Sequence, residues 1–405
     1  MRIGFDVSQT GAGKAGCGYF AAGLLSALAA VDGQNDYVLY PAFGDFFREP
    51  QPRACLRPAG GRFRLGPTFR RFWSQKRFFR QPPADFEARL GAPDLVHANN
   101  FFCPTGLKDA KLVYTLYDLS FLENPAWTTE GNRTGCFDGV FRAATRADFL
   151  VSISEYSLKH FLRVFPFYPQ DRAVVAPLAS RFDSASPRER PKALADRDPG
   201  SFWLCVGTIE PRKNHERLFA AYAEWRRETG GDMPLVLAGG KGWLMDDVAR
   251  TVAELGIADH LVFTGYVSDA ELAWLYASCH AFLYPSLFEG FGLPVLEAMS
   301  LGAAVICSDA TSLPEVAGGA AITVDPLDVT ALARAMAALS GDSALRGRLC
   351  QASLGRASLF SWEKTARIVL GVYDKASRGA VMMPPAAGRC PGPAGKNDFP
   401  RSPRS

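Results

Sequence analysis

The chain has 405 residues and a formal net charge of +4, long enough for two α/β cores and too weakly basic to imply nucleic acid by itself. With 48% apolar and 21% charged residues it has the composition of a globular protein. Its nine cysteines are scattered singly without a C-x-x-C, and none of its five histidines lies within four residues of another. That pattern argues against a disulfide framework or an H-E-x-x-H zinc site and fits a reducing cytoplasm.

Ile3 to Val7 reads as a short apolar strand and Tyr19 to Val31 as a helix. Between them Gly11, Gly13 and Gly16 spell G-x-G-x-x-G, the written form of a dinucleotide-binding turn. An NAD site also needs an acid near the end of the second strand to hold the ribose. Here Tyr37 to Tyr40 runs into Pro41, and the nearest acid, Asp36, precedes the strand. Ser8-Gln9-Thr10 lengthens the turn as well. What the glycines still offer is close backbone approach and a helix N-terminus that favours an anion. The apolar run Cys17 to Ala30 contains Ala27-Leu28-Ala29 and imitates an export signal, but Asp6 and the strand pattern before it argue against one. No run reaches the ~18 apolar residues that span a bilayer.

Further on, the stretch Phe69 to Arg80, FRRFWSQKRFFR, carries five basic and five aromatic residues and no acid. One reading is a surface for an anionic membrane or a lipid-diphosphate acceptor. The other is a basic helix that packs its aromatics into the first domain. Leu95 to His97, Leu112 to Leu116 and Phe149 to Ile153 are short apolar strands among helical stretches, which predicts a parallel sheet covered on both faces.

From Ser180 to Ser201 the chain turns polar and rich in proline and charge, a linker by content. Its Asp196-Arg197-Asp198 has the D-x-D form of some metal-dependent transferases, and in such a segment reads as solvated charge. The alternation then restarts. Strands are predicted at Phe202 to Val206, Pro234 to Ala238, Leu261 to Phe263, Ala281 to Tyr284, Ala304 to Cys307 and Ala321 to Val324. Helices are predicted at Glu216 to Glu228, Asp246 to Leu255, Asp269 to Ala277 and Pro294 to Ser300. The expected organisation is a first domain over 1–180, a linker over 181–200, a second domain over 201–360, a helix over 361–377 and a disordered tail over 378–405. Two doubly wound domains of this kind leave a ligand cleft between them.

The most informative stretch is Ala281 to Ser308, AFLYPSLFEGFGLPVLEAMSLGAAVICS. A strand ends at Pro285, a glycine loop follows, and Pro294 is expected at the first position of a helix, where its missing N–H costs nothing. Glu289 falls in the loop and Glu297 in the first helical turn, beside Gly290 and Gly292. Alone, either acid reads as a solvated loop residue or a helix-dipole partner. Together, eight apart and separated by Gly-x-Gly-x-Pro, they point to a ligand.

At these residues the chain resembles the retaining glycosyltransferases of group 1 (family four), with the two-domain GT-B fold. Glu289 and Glu297 match that family's E-x7-E. The likeness extends through FWLCVGTIEPRKN (202–214), LAGGKGW (237–243), LVFTGYV (261–267) and SLPEV (312–316). It also reaches Gly16-Cys17-Gly18-Tyr19 and Asp118-Leu119-Ser120-Phe121 in the first half, and covers most of 1–377. The resemblance implies an α/β fold of two Rossmann-like domains facing a central cleft. It implies that Glu297 accepts the donor's ribose hydroxyls, that Lys213 and Arg212 neutralise the pyrophosphate, and that Glu289 with Gly290, Phe291, Gly292 and Leu293 holds the sugar. Asp118 joins Glu289, Arg212 and Lys213 among the catalytic residues, and Gly16 and Gly18 close the site from the first domain. Two positions depart from the family: Thr208 where it has arginine, and Tyr117 where it has the histidine that reaches the donor sugar.

The expectation is therefore a retaining hexosyltransferase that needs neither metal nor cofactor. Its donor is a nucleoside-diphosphate sugar, GDP-mannose ahead of UDP-glucose, and its acceptor a glycan or lipid-linked glycan in surface polysaccharide synthesis. It is placed in the cytoplasm, with peripheral contact to the inner face of the cytoplasmic membrane and no nucleic-acid partner. Tyr117 and Thr208 leave open a catalytically inactive sugar-nucleotide-binding protein. An NAD-dependent oxidoreductase loses on the missing acid.

Overall fold

The computed structural model describes residues 1–11, 16–45, 47–48, 55–240 and 245–378. Gly13, the last three residues of LAGGKGW and the expected tail beyond 378 lie outside the described residues. The first sheet contains β1 (Arg2–Asp6), β2 (Asp36–Tyr40), β5 (Phe63–Leu65), β6 (Leu95–Ala98), β7 (Lys111–Leu116), β8 (Phe149–Ser152) and β9 (Ala173–Val175), with a small hairpin of β3 (Ala42–Phe43) and β4 (Phe47–Arg48) beside it. The second sheet contains β10 (Trp203–Val206), β11 (Leu235–Ala238), β12 (Leu261–Gly265), β13 (Ala281–Tyr284), β14 (Val305–Ser308) and β15 (Ile322–Val324).

Both sheets are parallel throughout, in the orders β5-β2-β1-β6-β7-β8-β9 and β12-β11-β10-β13-β14-β15. In each the order reverses beside the first strand, between β1 and β6 and between β10 and β13. Outside the carboxyl ends of such strand pairs is where doubly wound sheets bind ligands. The central strands are buried along nearly their whole length, which is why they read as unbroken apolar runs. Asp36 is exposed at the amino end of β2, opposite the end where an NAD site needs its acid.

Several boundaries move. Helix Gly16–Val31 begins three residues before the expected start at Tyr19, so Gly16, Cys17 and Gly18 form its first turn rather than a loop, and Gly18 is buried there. The expected linker is not loose, for Leu194 is buried and the amides of Glu189 and Gly200 donate to Ala270 and Ser278 of helix Asp269–Ser278. Asp196 and Asp198 are exposed, as solvated charge is. Helix Trp362–Ser377 returns to the first domain, packing on helix Gly16–Val31 and against β6, β7 and β8. A Cβ on Gly23 would stand 2.4 Å from the Trp362 ring, so only glycine admits that crossing. Tyr373 then bonds His97 of β6 at 2.6 Å, fixing the returning helix to the first sheet.

The basic aromatic stretch forms helix Phe72–Arg80. Phe69, Phe78 and Phe79 pack with Phe43, Phe86 and Phe102, and Arg80 pairs with Asp45 at 2.6 Å. For these aromatics the packing reading holds and the membrane reading does not. Trp73 alone projects, 75% exposed, beside Arg71, Lys76 and Arg77. Among the described residues no helix is long and apolar enough to cross a membrane.

Candidate active site between the two domains

Strand β13 ends at Tyr284, where Pro285 has no N–H to continue the ladder. The chain then turns through Ser286 to Gly292 into helix Leu293–Ser300. Gly292 caps this helix at φ 101, where a side chain is strained, and an added Cβ would meet Leu313 at 2.4 Å. Pro294 occupies the second helical position, not the first. Glu297 is consequently the fifth residue and lies in the second turn. It points into the protein, 2% exposed, rather than complementing the helix dipole. At the start of this helix Pro294 has no N–H, and the amides of Val295 and Leu296 donate to the Gly292 carbonyl at 3.0 and 3.3 Å. Phe291 is buried, its ring against Phe360.

Beyond β10 the chain runs through Gly207 and the exposed Thr208 to the turn Pro211–Lys213. Asn214, left-handed at φ 62, ends that turn. Its side chain donates to the Pro285 carbonyl at 3.0 Å and the Pro326 carbonyl at 2.7 Å, binding the two loops together. Lys213, from 76 residues away, and Arg212 beside it thereby meet Glu289.

Lys213 Nζ donates to Glu289 Oε1 at 2.6 Å, and Arg212 Nη1 lies 3.0 Å from Oε2. Ser286 Oγ and Tyr284 OH also donate to Oε1, at 2.7 and 3.0 Å. Arg212 further reaches the Phe288 carbonyl and the Glu210 carboxylate, each at 2.6 Å. Glu289 is 7% exposed. Burial alone raises a carboxyl, but the two cations and the hydroxyl donors hold Glu289 down at about 2. Burial also pulls the Lys213 ammonium below its ordinary range, against the attraction of Glu289.

Glu297 has a different partner. Arg181, from the segment joining the domains, donates its Nε to Oε1 at 2.8 Å and its Nη1 to Asp269 at 2.9 Å. The guanidinium lies 4.1 Å over the Tyr19 ring of the first domain. Tyr276 OH donates to Oε2 at 3.2 Å. Here burial prevails, and the Glu297 carboxyl is pushed up to about 7 although Arg181 and Tyr276 pull it back. Arg181 and Tyr276 carry no motif and were missed by the sequence. An arginine 116 residues from its carboxylate leaves no spacing to read.

The first domain closes on this loop. A Cβ on Gly290 would come within 2.8 Å of the Tyr117 carbonyl and 3.0 Å of Asp118 Oδ2, so only glycine fits between the domains. Ser157 Oγ donates to the Tyr117 carbonyl at 2.8 Å and lies 3.1 Å from that of Gly290. The other Asp118 oxygen accepts from Ser120 N and Oγ at 2.9 and 2.7 Å. The Tyr117 hydroxyl is engaged inside its own domain, donating to the Asn99 carbonyl at 2.8 Å and lying 3.3 Å from that of Cys17. Gly16 is exposed at the start of its helix with open space around its Cα. Among the described residues no group of three metal-ligating side chains assembles.

The family model for glycosyl transferases group 1 matches residues 187–354. The chain is 36% identical over 284 residues to an O-antigen chain mannosyltransferase B of Escherichia coli, covering 69% of this chain and 74% of that one. It is 32% identical over 302 residues to the serotype-specific mannosyltransferase WbdA of Escherichia coli, of which it spans 37%. Among solved structures, sucrose-phosphate synthase from Thermosynechococcus elongatus superposes with a TM-score of 0.68 at 21% identity, over 93% of this chain and 98% of that one. Anabaena HepE in complex with UDP and glucose gives 0.66 at 17%, over 93% and 100%. At such identities the structures speak for the fold, two facing Rossmann-like domains.

Proposed function

Because this chain belongs to the group 1 glycosyl transferases, we propose that it moves a hexose, mannose first, from a nucleoside diphosphate to a glycan or lipid-linked acceptor, with retention at the anomeric carbon. The observation that carries the reading is the Arg212–Lys213–Glu289 cluster at the switch point of the second sheet. Arg212 is shared by Glu289 and Glu210 and Lys213 pairs with Glu289, so a fork of donors and an ammonium are already gathered where an incoming diphosphate would take them over from the carboxylates. As the sugar–phosphate bond breaks, charge grows on the leaving diphosphate, and donors already in place stabilise it without reorganising. Each charged hydrogen bond of this kind contributes about 1.5–3 kcal/mol. Arg212 and Lys213 supply the positive charge a metal supplies elsewhere, so EDTA leaves the activity intact.

Glu297 exchanges Arg181 and Tyr276 for the ribose hydroxyls, and the amides from Gly290 to Leu293 face the sugar. Asp118, against Gly290, stands where both domains meet, placed for the acceptor. The mannosyltransferase relatives favour a mannosyl donor, and the O-antigen chain in the name of one of them favours a surface glycan acceptor. The exposed Arg71–Trp73–Arg77 corner supports peripheral contact with an anionic membrane that carries the acceptor.

The test is transfer from GDP-mannose and UDP-glucose to a panel of mannose-terminated acceptors, with the anomeric configuration of the product read by NMR. An inverted product overturns retention. Manganese-dependent turnover that EDTA abolishes overturns the metal-free reading. Nucleotide binding without turnover on either donor leaves a sugar-nucleotide-binding protein. Replacing Arg71, Trp73 and Arg77 by Gln, Ser and Gln and finding unchanged sedimentation with anionic vesicles overturns the membrane contact.

A further inference from the structure

Beside the Pro211–Lys213 turn the domains border a partly open cavity of about 220 Å³ whose lining includes none of Lys213, Glu289 and Glu297. Asn124 and Trp127 line it from the first domain, and Glu210, His215, Glu216 and Arg217 from the second. Trp127 is half-buried, its ring 6.0 Å from that of Phe288. Phe288 in turn gives its carbonyl to Arg212, and Glu210 gives its carboxylate to the same guanidinium. The cavity wall is thus continuous with the loop that carries Glu289.

His215 is 4% exposed, and among the described residues its Nδ1 has no hydrogen-bond partner. Burial and the nearby Lys213 ammonium keep the imidazole neutral, at about 4, although the Glu210 main chain works against them. Arg217 donates to Asn214 Oδ1 at 3.0 Å, so the same wall is joined to the residue that holds the two loops together.

The chemistry of the lining selects the ligand. A phosphate or nucleotide is disfavoured, because Glu210 and Glu216 outnumber Arg217 and Glu210 is already shared with Arg212. A lipid chain is disfavoured by so many polar groups. A tryptophan face with carboxylate, amide, guanidinium and imidazole groups around it suits a pyranose, which has an apolar face and hydroxyls that both donate and accept.

We propose that this cavity is a subsite for a neutral hexose ring of the acceptor glycan, next to the ring that receives the transferred sugar. The inference rests on the transferase reading and names its acceptor side. A ring seated there touches both domains, so the acceptor is held by the closed form and the enzyme favours a chain of sugars over a single one.

The experiment is saturation-transfer NMR of the full chain with mannotriose, maltotriose and N-acetylchitotriose, alongside a thermal-shift series with GDP and UDP. At least one trisaccharide is expected to bind and to compete with the others but not with GDP. Trp127→Ala and, as a variant at an exposed position, Glu216→Gln each weaken it, the former about tenfold, with Trp127→Phe between. The nucleotide thermal shift stays unchanged in all three and reports intact folding. Absence of binding by every trisaccharide, equal binding in the variants, or displacement by GDP each overturns the subsite. A protein that binds trisaccharide through Trp127 but shows no shift with either nucleotide retains the subsite and loses the donor assignment instead.

Discussion

Around Glu289 the fold gathers two cations and two hydroxyls, all from the second domain, while around Glu297 it brings one arginine from the segment between the domains and one tyrosine. Both carboxylates are almost fully buried and stand eight residues apart in one loop and helix, yet one is held at about 2 and the other lifted to about 7. Desolvation is the largest cause for both, so the count of nearby cations decides the outcome. The difference separates two tasks. Glu289 is locked in its charged form and keeps Lys213 and Arg212 aimed at one spot. Glu297 rests on Arg181 and Tyr276, the partners that the proposed ribose role would exchange.

The largest break of this comparison is Arg212→Ala with Lys213→Ala. It leaves Glu289 buried without a cation, a loss of about 3–5 kcal/mol of stability. Transition-state stabilisation falls by about 3–6 kcal/mol, two charged hydrogen bonds. Adding Glu289→Gln is expected to restore much of the Tm and none of the kcat/KM. A double variant with native Tm and turnover means that the cluster neither holds Glu289 nor acts on the donor.

Glu297→Ala comes next, with a loss of about 1.5–3 kcal/mol in nucleotide affinity by calorimetry. Glu289→Ala is expected to keep that affinity and lose turnover. Equal effects on both quantities erase the distinction between the two acids.

The third sharpens it through pH. A carboxyl raised to about 7 is protonated below that pH and ionised above it, so GDP affinity rises as pH climbs through about 7. Glu289, at about 2, stays ionised and contributes no slope there. Glu297→Gln should flatten the profile, and a flat profile in the native protein contradicts the assignment.

The smallest expected effect is that of Arg181→Met. Removing the guanidinium takes away the leading force that opposes burial, so the midpoint of the GDP profile moves above 7, with a few-fold change in affinity at neutral pH. A midpoint that stays or falls shows that Arg181 does not set the charge of Glu297.

How far the sequence could be read follows from the range of the forces. Strand Ala281–Tyr284 was found to the residue, because a strand buried on both faces must be apolar throughout. The three-residue strands Phe63–Leu65 and Ala173–Val175 were not found, being too short to show a pattern. The Phe69 to Arg80 stretch was half legible. Its charges suggested a surface, but Phe78 and Phe79 found partners in Phe86 and Phe102, which sequence spacing does not bring together. Glu297 was singled out from the sequence, while its turn and its arginine were not.

The sequence by itself determined two α/β domains, the loop that carries Glu289 and Glu297, and the Arg212-Lys213 pair, because strand patterns, glycine turns and helix starts are local matters of sterics and hydrogen bonding. Only the tertiary structure decided that Lys213 meets Glu289 across 76 residues and Arg181 meets Glu297 across 116. It alone returned helix Trp362–Ser377 to the first domain, formed the Trp127 cavity and gave two like acids opposite charge tendencies. The reason is physical: burial and Coulomb attraction depend on separation in space, which folding sets and sequence spacing does not.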